Sequence, residues 1–279
     1  MARVISHVLH PLKEDLPLLI PTEVLDKYMI THQDQSPAIA TFEMSRLAER
    51  EGALAFLNAY APELKARSLD VAATYFTAQY ARMFAAFHYA IWRCGVHLNL
   101  SMNMMCVRIV RHPDGYVTLK FDLKTIQGTT VPLANRSLLV TSLMTSFYSE
   151  QVRPILQSLA SAAGISVGAL WGIIPTYFEY YYEQWLEDPI DEVQRIHLAE
   201  DMDVLRHQLP PAVFGRVRNP FQVKFRYMDS PYEPGKKIKL KSACCLAYKT
   251  EESSYCLTCP RLSEVERSRL VAEYQARQS

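Results

Sequence analysis

Apolar residues recur along most of this chain at helical spacing, and one stretch switches to strict alternation. Residues 38–60 read as a first helix, with Pro62 breaking it or opening the next. "LDVAATYFTAQYARMFAAFHYAIWRCG" (69–95) is apolar on nearly every side, the mark of a buried helix, and Gly95 follows at the favoured position past its end. Then the period changes. Val117, Leu119, Phe121 and Leu123 alternate with Thr118, Lys120 and Asp122, which predicts a strand with one buried face. "HPDG" (112–115) supplies the turn of a β-hairpin over residues 103–123, since Pro fixes one φ angle and Gly permits a positive one. Helices resume over 137–162, 167–186 and 190–208, with Pro189 and "LPP" (209–211) as stops. Residues 1–36, rich in Pro and His, read as an irregular or lightly helical lead-in.

Between Pro154 and Phe178 no residue is charged, a length that would span a bilayer. Gln157, Ser158, Ser161 and Pro175 interrupt it, Gly164 suits a helix C-terminus and Ser166 the next N-cap. Two buried helices of a soluble fold meeting at residues 163–166 are therefore expected. Past Gly215 the chain turns to short extended pieces, with eight Lys or Arg against Asp229 and Glu233. "LSEVERSRLVAEYQARQS" closes it as a solvated helix opened by a capping box, Ser263 with Glu266. The fold expected is mainly α with a small β-hairpin, an α+β class. Residues 1–60 form a lead-in and first helix, 61–211 a helical body, 212–262 a basic cysteine-bearing segment and 263–279 the terminal helix.

Composition changes this picture little. Of 279 residues, 49% are hydrophobic and 21% charged, with net charge +1, so no global field points to nucleic acid or anionic lipid. The N-terminus has no apolar run of signal-peptide length, which predicts a cytoplasmic protein with reduced thiols. In that setting a dense cysteine cluster points to metal binding or redox chemistry.

Four of the six cysteines fall within residues 244–259: Cys244 and Cys245 adjacent, then Cys256 and Cys259 as C-x-x-C. Four thiolates suit a tetrahedral zinc or an iron–sulfur cluster. Adjacent side chains diverge along extended backbone, which is awkward around one small ion and easier around two irons. The balance favours a cluster without excluding zinc. Pro260 in place of His argues against c-type haem, and the lack of any histidine after His207 argues against a Rieske centre. A thioredoxin-like site would leave Cys244 and Cys245 without a role. The segment is polar and offers no evident core for unligated thiols.

The pattern C-C-x10-C-x2-C close to the C-terminus, with "KSACCLAY" before it and "YCLTCPRL" after it, resembles the ferric-siderophore reductases of the FhuF type. "ISVGALWG" (165–172) is similar to a segment of that family's helical body. The resemblance runs from about residue 60 onward and does not extend to the first fifty. It implies that Cys244, Cys245, Cys256 and Cys259 are one for one the ligands of a 2Fe–2S cluster. It also implies one-electron reduction of Fe(III) in hydroxamate-type siderophores in the cytoplasm, for iron assimilation. No G-x-G-x-x-G is present, so electrons would come from an external ferredoxin- or flavoprotein-like donor. Peripheral association with the cytoplasmic face of the inner membrane is compatible with this reading.

Trp171, in the family-like stretch, and Arg218, in the basic segment, are candidate substrate contacts. Tyr177, Tyr181 and Trp185 share one helix face, read as core with a part free to line a cleft. Glu179, Glu183 and Glu187 share another, read as a solvated acidic stripe rather than a di-iron site, which needs Glu-x-x-His. Gly164, Gly168 and Gly172 permit close helix packing. His88 reads as a core histidine, and Cys94 and Cys106 as structural. The alternative to a reductase is a zinc-stabilised siderophore- or protein-binding module, which would be colourless. An iron- or redox-sensing regulator would need a nucleic-acid surface that the near-neutral charge does not provide.

Overall fold

The computed structural model describes residues 22–251 and 253–277. The first part of the lead-in, residues 1–21, lies outside them. In order the elements are α1 (Thr22–Lys27), β1 (Ile30–His32), β2 (Ala40–Glu43), α2 (Arg50–Glu63), α3 (Leu69–Cys94), β3 (Val96–Leu98), β4 (Met105–Arg111), β5 (Val117–Leu123) and β6 (Gly128–Thr130). There follow α4 (Arg136–Ser146), α5 (Arg153–Ala163), α6 (Val167–Glu187), α7 (Glu192–Asp203), β7 (Tyr227–Asp229), β8 (Lys237–Lys239) and α8 (Glu264–Ala276). The molecule is mainly α with small sheets, an α+β class.

α3 is the central post. Its small residues (Ala72, Ala73, Ala81, Ala85, Ala86 and Ala90) bring neighbours close, and Phe76, Tyr80, Phe84, Phe87 and Trp92 fill the gaps between them. Each such aromatic, fully buried, contributes roughly 1.5–3 kcal/mol by removal from water. α2, α5, α6 and α7 pack around it, and Gly95 ends it in the left-handed conformation at φ 64°.

The hairpin β4–β5 forms where alternation predicted it, but it is the middle of a four-stranded sheet ordered β1-β5-β4-β2. β1 adds in parallel, with Ile30 opposite Phe121, and β2 adds antiparallel, with Phe42 opposite Val107. Phe121 and Phe42 face α3 and α2, their rings 5.6 Å from Tyr80 and 5.5 Å from Phe56. The first helix is therefore shorter than its apolar spacing suggested. Residues 40–43 are strand and 44–48 a 3-10 turn, because β4 offers a free edge and "ATFE" is extended on it. Pro62 lies in the last turn of α2 without ending it.

The uncharged stretch resolves as two helices. Gly164 closes α5 at φ 65°, and the Ser166 hydroxyl accepts from the Gly168 N–H to open α6. Among the described residues no helix is long and apolar enough to cross a membrane. A π-helical turn, Phe147–Val152, divides α4 from α5 within the helix predicted over 137–162. It places Tyr148 inward, where its hydroxyl meets His88 Nε2 at 2.9 Å. Burial pushes His88 down to about 3, so this core histidine is neutral.

Candidate metal centre

The cysteine segment is docked on α6 and α3 by hydrogen bonds at its entry. Ser242 donates from its hydroxyl to the Gly172 carbonyl at 2.7 Å, and its N–H donates to Thr176 Oγ1 at 2.8 Å. Gly172 favours this approach: a Cβ there would stand 3.1 Å from Ala243 Cβ, tighter than ordinary contact. Of the three spaced glycines Gly172 alone meets the loop that carries Cys244 and Cys245; Gly168 faces Arg216 and Gly164 ends α5. On the α3 side the Thr74 hydroxyl donates to the Cys245 carbonyl at 2.7 Å. Lys249 pairs with Asp70 at 2.6 Å, and Ala66 bridges to Thr250.

The second pair is held from below by α8. Its capping box forms as the sequence predicted, with Ser263 and Glu266 bonded reciprocally. One turn in, Arg267 reaches back to the carbonyls of Leu257, Cys259 and Leu262. The two arms of the intervening loop close on each other through Tyr248 stacked on Tyr255, centroids 4.3 Å apart.

The six cysteines are free thiols. The four of the segment come together as two pairs. Cys259 Sγ lies 3.6 Å from Cys244 Sγ, and the Cys245 and Cys256 thiols are hydrogen-bonded to each other. Two thiolates on one tetrahedral metal with bonds of about 2.3 Å stand about 3.8 Å apart, so the first pair is already near chelating distance. Among the described residues no three metal-ligating side chains gather around one ion. A donor set of two sulfur pairs suits two irons better than one zinc.

Donors surround the sulfurs. Leu246 N–H points at Cys244 Sγ (3.4 Å), Thr258 Oγ1 at Cys256 Sγ (3.8 Å) and Lys241 Nζ at Cys245 Sγ (3.6 Å). Leu246 adopts φ 60°, a conformation costly for a side chain with a Cβ, and this turn aims its N–H back at Cys244. The bond from Cys256 and the Lys241 ammonium hold the Cys245 thiol well below its ordinary value despite burial. Burial pushes Cys244 up to about 11. Cys245 and Cys259 are 7% and 2% exposed, so the polar segment does find cover, which its own composition did not suggest. That cover comes from α3, α6 and α8.

Beside Cys245 a cavity of about 420 Å³ opens between α3 and α6. Tyr75, Ala78, Gln79, Arg82, Tyr177, Tyr180, Tyr181, Gln184, Lys241 and Ala247 complete its wall. Tyr177 and Tyr181 line it, while Trp185, on the same face, is core and donates to the Tyr28 hydroxyl at 2.9 Å. Trp171 is 1% exposed among Tyr148 and Phe214 and is not part of the wall, so it has no surface to offer a substrate. Arg218 is exposed in the bend after Gly215 and lines no part of the cavity either. The acidic stripe is not simply solvated. Glu179 pairs with Arg206 at 2.8 Å, and Glu183 with Lys239 at 2.7 Å, a lysine only 3% exposed. Part of the basic segment is thereby clamped to α6. Arg82 escaped notice in the sequence because a lone arginine within an apolar helix carries no motif.

A sulfur-rich loop docked on α3, α6 and α8 makes a candidate metal site on a helical scaffold. Residues 242–261 match the family model "FhuF 2Fe-2S C-terminal domain". The cofactor is accordingly a 2Fe–2S cluster, and the resemblance to FhuF-type reductases rests on this segment. Neither a curated protein nor a solved structure matches the chain.

Proposed function

We propose that this protein is a cytoplasmic reductase of Fe(III) bound in siderophores, chiefly of the hydroxamate type, and that it releases Fe(II) for assimilation. When bound, the 2Fe–2S cluster supplies a single electron at a potential the protein sets. Cys244, Cys245, Cys256 and Cys259 would hold the cluster. The observation that carries this reading is the pairing of the four sulfurs, at 3.6 Å for Cys244 and Cys259, within the segment that matches the family model.

The chain's residues have two tasks. Leu246 N–H, the Thr258 hydroxyl and the Lys241 ammonium aim donors at sulfur, which favours the more negative state and raises the potential. Thr74, Ser242 and Arg267 hold the loop so that these donors keep their aim. Fe(III) is hard and strongly held by anionic oxygens, whereas Fe(II) is held weakly, so one electron is enough to loosen the chelate. No acid, base or nucleophile is needed. The electron is replaced by an external ferredoxin- or flavoprotein-like donor.

The test is anaerobic purification followed by reduction with dithionite and addition of a ferric trihydroxamate. About two irons and two sulfides per chain, bleaching on reduction and recovery of colour with the chelate are expected. A colourless protein holding one zinc would leave only a binding module.

A further inference from the structure

The cavity beside Cys245 has a mostly apolar wall into which several donors are set. Its wall carries the Arg82 guanidinium, the Lys241 ammonium and the phenols of Tyr75, Tyr177, Tyr180 and Tyr181 and, among the described residues, no carboxylate. The four phenols carry O–H groups able to donate. The Gln79 amide is already engaged: its oxygen accepts from Thr118 Oγ1 and Leu119 N–H, and its nitrogen donates to the Tyr60 hydroxyl. Arg82 lines the cavity and hydrogen-bonds the Tyr181 hydroxyl. Cationic and phenolic donors lining one cavity suit a ligand with acceptor oxygens. The volume falls in the usual range of small-molecule sites, and Tyr180, 41% exposed, leaves a way in.

We propose that this cavity is the docking site for an oxygen-ligated Fe(III) chelate, with Arg82 and Lys241 contacting its anionic donor oxygens and the tyrosines its remaining acceptors. The proposal rests on the reductase reading above and names where that reaction occurs. Docking here brings the chelate against the Cys245 wall, so the electron has a short path through the protein. Arg82 then does chemical work as well as binding: a cation on the oxygens that ligate iron withdraws their electron density and favours the ferrous product. Fe(III) gains one electron, the reduced protein loses one, and no bond is made or broken in that step. A one-electron reductant restores the protein.

Gallium(III) has the charge and nearly the size of Fe(III) and cannot be reduced under these conditions, so it separates binding from electron transfer. Holoprotein is titrated calorimetrically with a gallium trihydroxamate. Three variants accompany the wild type: Arg82→Gln, Ala78→Phe, which fills the cavity without removing a polar partner, and Arg195→Ala, on α7 and outside the wall. Expected is a rise in Kd of about tenfold or more for the first two, by loss of a charged hydrogen bond or of space. Their cluster spectrum and iron and sulfide content stay as in wild type, and Arg195→Ala binds normally. Wild-type reduction of the ferric complex with undiminished gallium binding in both cavity variants overturns the docking site and leaves the reductase reading standing. A wild-type holoprotein that neither binds the gallium complex nor loses its electron to the ferric one overturns both.

Discussion

At the scale of single residues the centre depends on small features that tolerate little change. Lys241 is one: its ammonium lies 3.6 Å from Cys245 Sγ. A unit charge at such a distance is worth about 1 kcal/mol in a water-like medium and about 4 at a protein surface. Lys241→Met is therefore expected to lower the midpoint potential by on the order of 50–150 mV. Redox titration of the purified variant checks this, and an unchanged potential would mean the ammonium does not face the bound cluster. Gly172 is another. A branched side chain there collides with Ala243, so Gly172→Val is expected to cost about 1–3 kcal/mol at the loop. Cluster content should fall while the far-UV circular dichroism of the helical body is kept. The cysteines and the capping box at Ser263 were legible because each is a local pattern with a known geometry. Arg82 and Thr74 were not, because their partners lie far away in sequence, 171 residues away for Thr74 and Cys245.

At the scale of elements, periodicity identified α3, the β4–β5 hairpin and the break at Gly164, each of which is written in consecutive residues. It missed β1 and β2, three and four residues long. Short edge strands carry too few positions for alternation to show, and they are extended only because the hairpin's outer edges offer them hydrogen bonds. The sheet has its own polar anchor. Asp34 accepts from Lys120 at 2.9 Å and Ser36 N–H at 2.8 Å, and pairs with Arg108 at 2.8 Å. Against the cost of burial, the bonds from Lys120 and Ser36 hold its carboxyl below the ordinary carboxylate range. A depressed folded value contributes stability above the unfolded carboxylate pKa, near 3.9, and loses it as pH falls through the folded value. Asp34→Asn is expected to lose about 1–3 kcal/mol at neutral pH. Chemical denaturation at pH 7 and pH 3 checks it, the gap between variant and wild type narrowing at the lower pH. Arg267 plays the equivalent part for the second cysteine pair. Arg267→Ala removes donors to three carbonyls, and faster loss of iron to a chelator is expected, measured by decay of the visible absorbance.

At the scale of the whole molecule, the scaffold puts a sulfur-rich loop and a donor-lined cavity on the same two helices. α3 supplies Tyr75, Arg82 and Thr74, and α6 supplies Tyr177, Tyr181, Thr176 and Gly172. The central post of the core is thus also one wall of the site. The sequence announced the metal module and, in Tyr177 and Tyr181, an aromatic face able to line a cleft, but not the opposite wall on α3, which faces it only once the two helices are side by side. The measurement that tests the account most directly is a single turnover. Holoprotein reduced with dithionite and freed of excess reductant is mixed anaerobically with a ferric trihydroxamate and a ferrous-specific chromogenic trap. The account predicts that colour returns to the protein as ferrous iron appears, in equal amounts and with matching rates. A protein that stays bleached while the chelate remains ferric would contradict it.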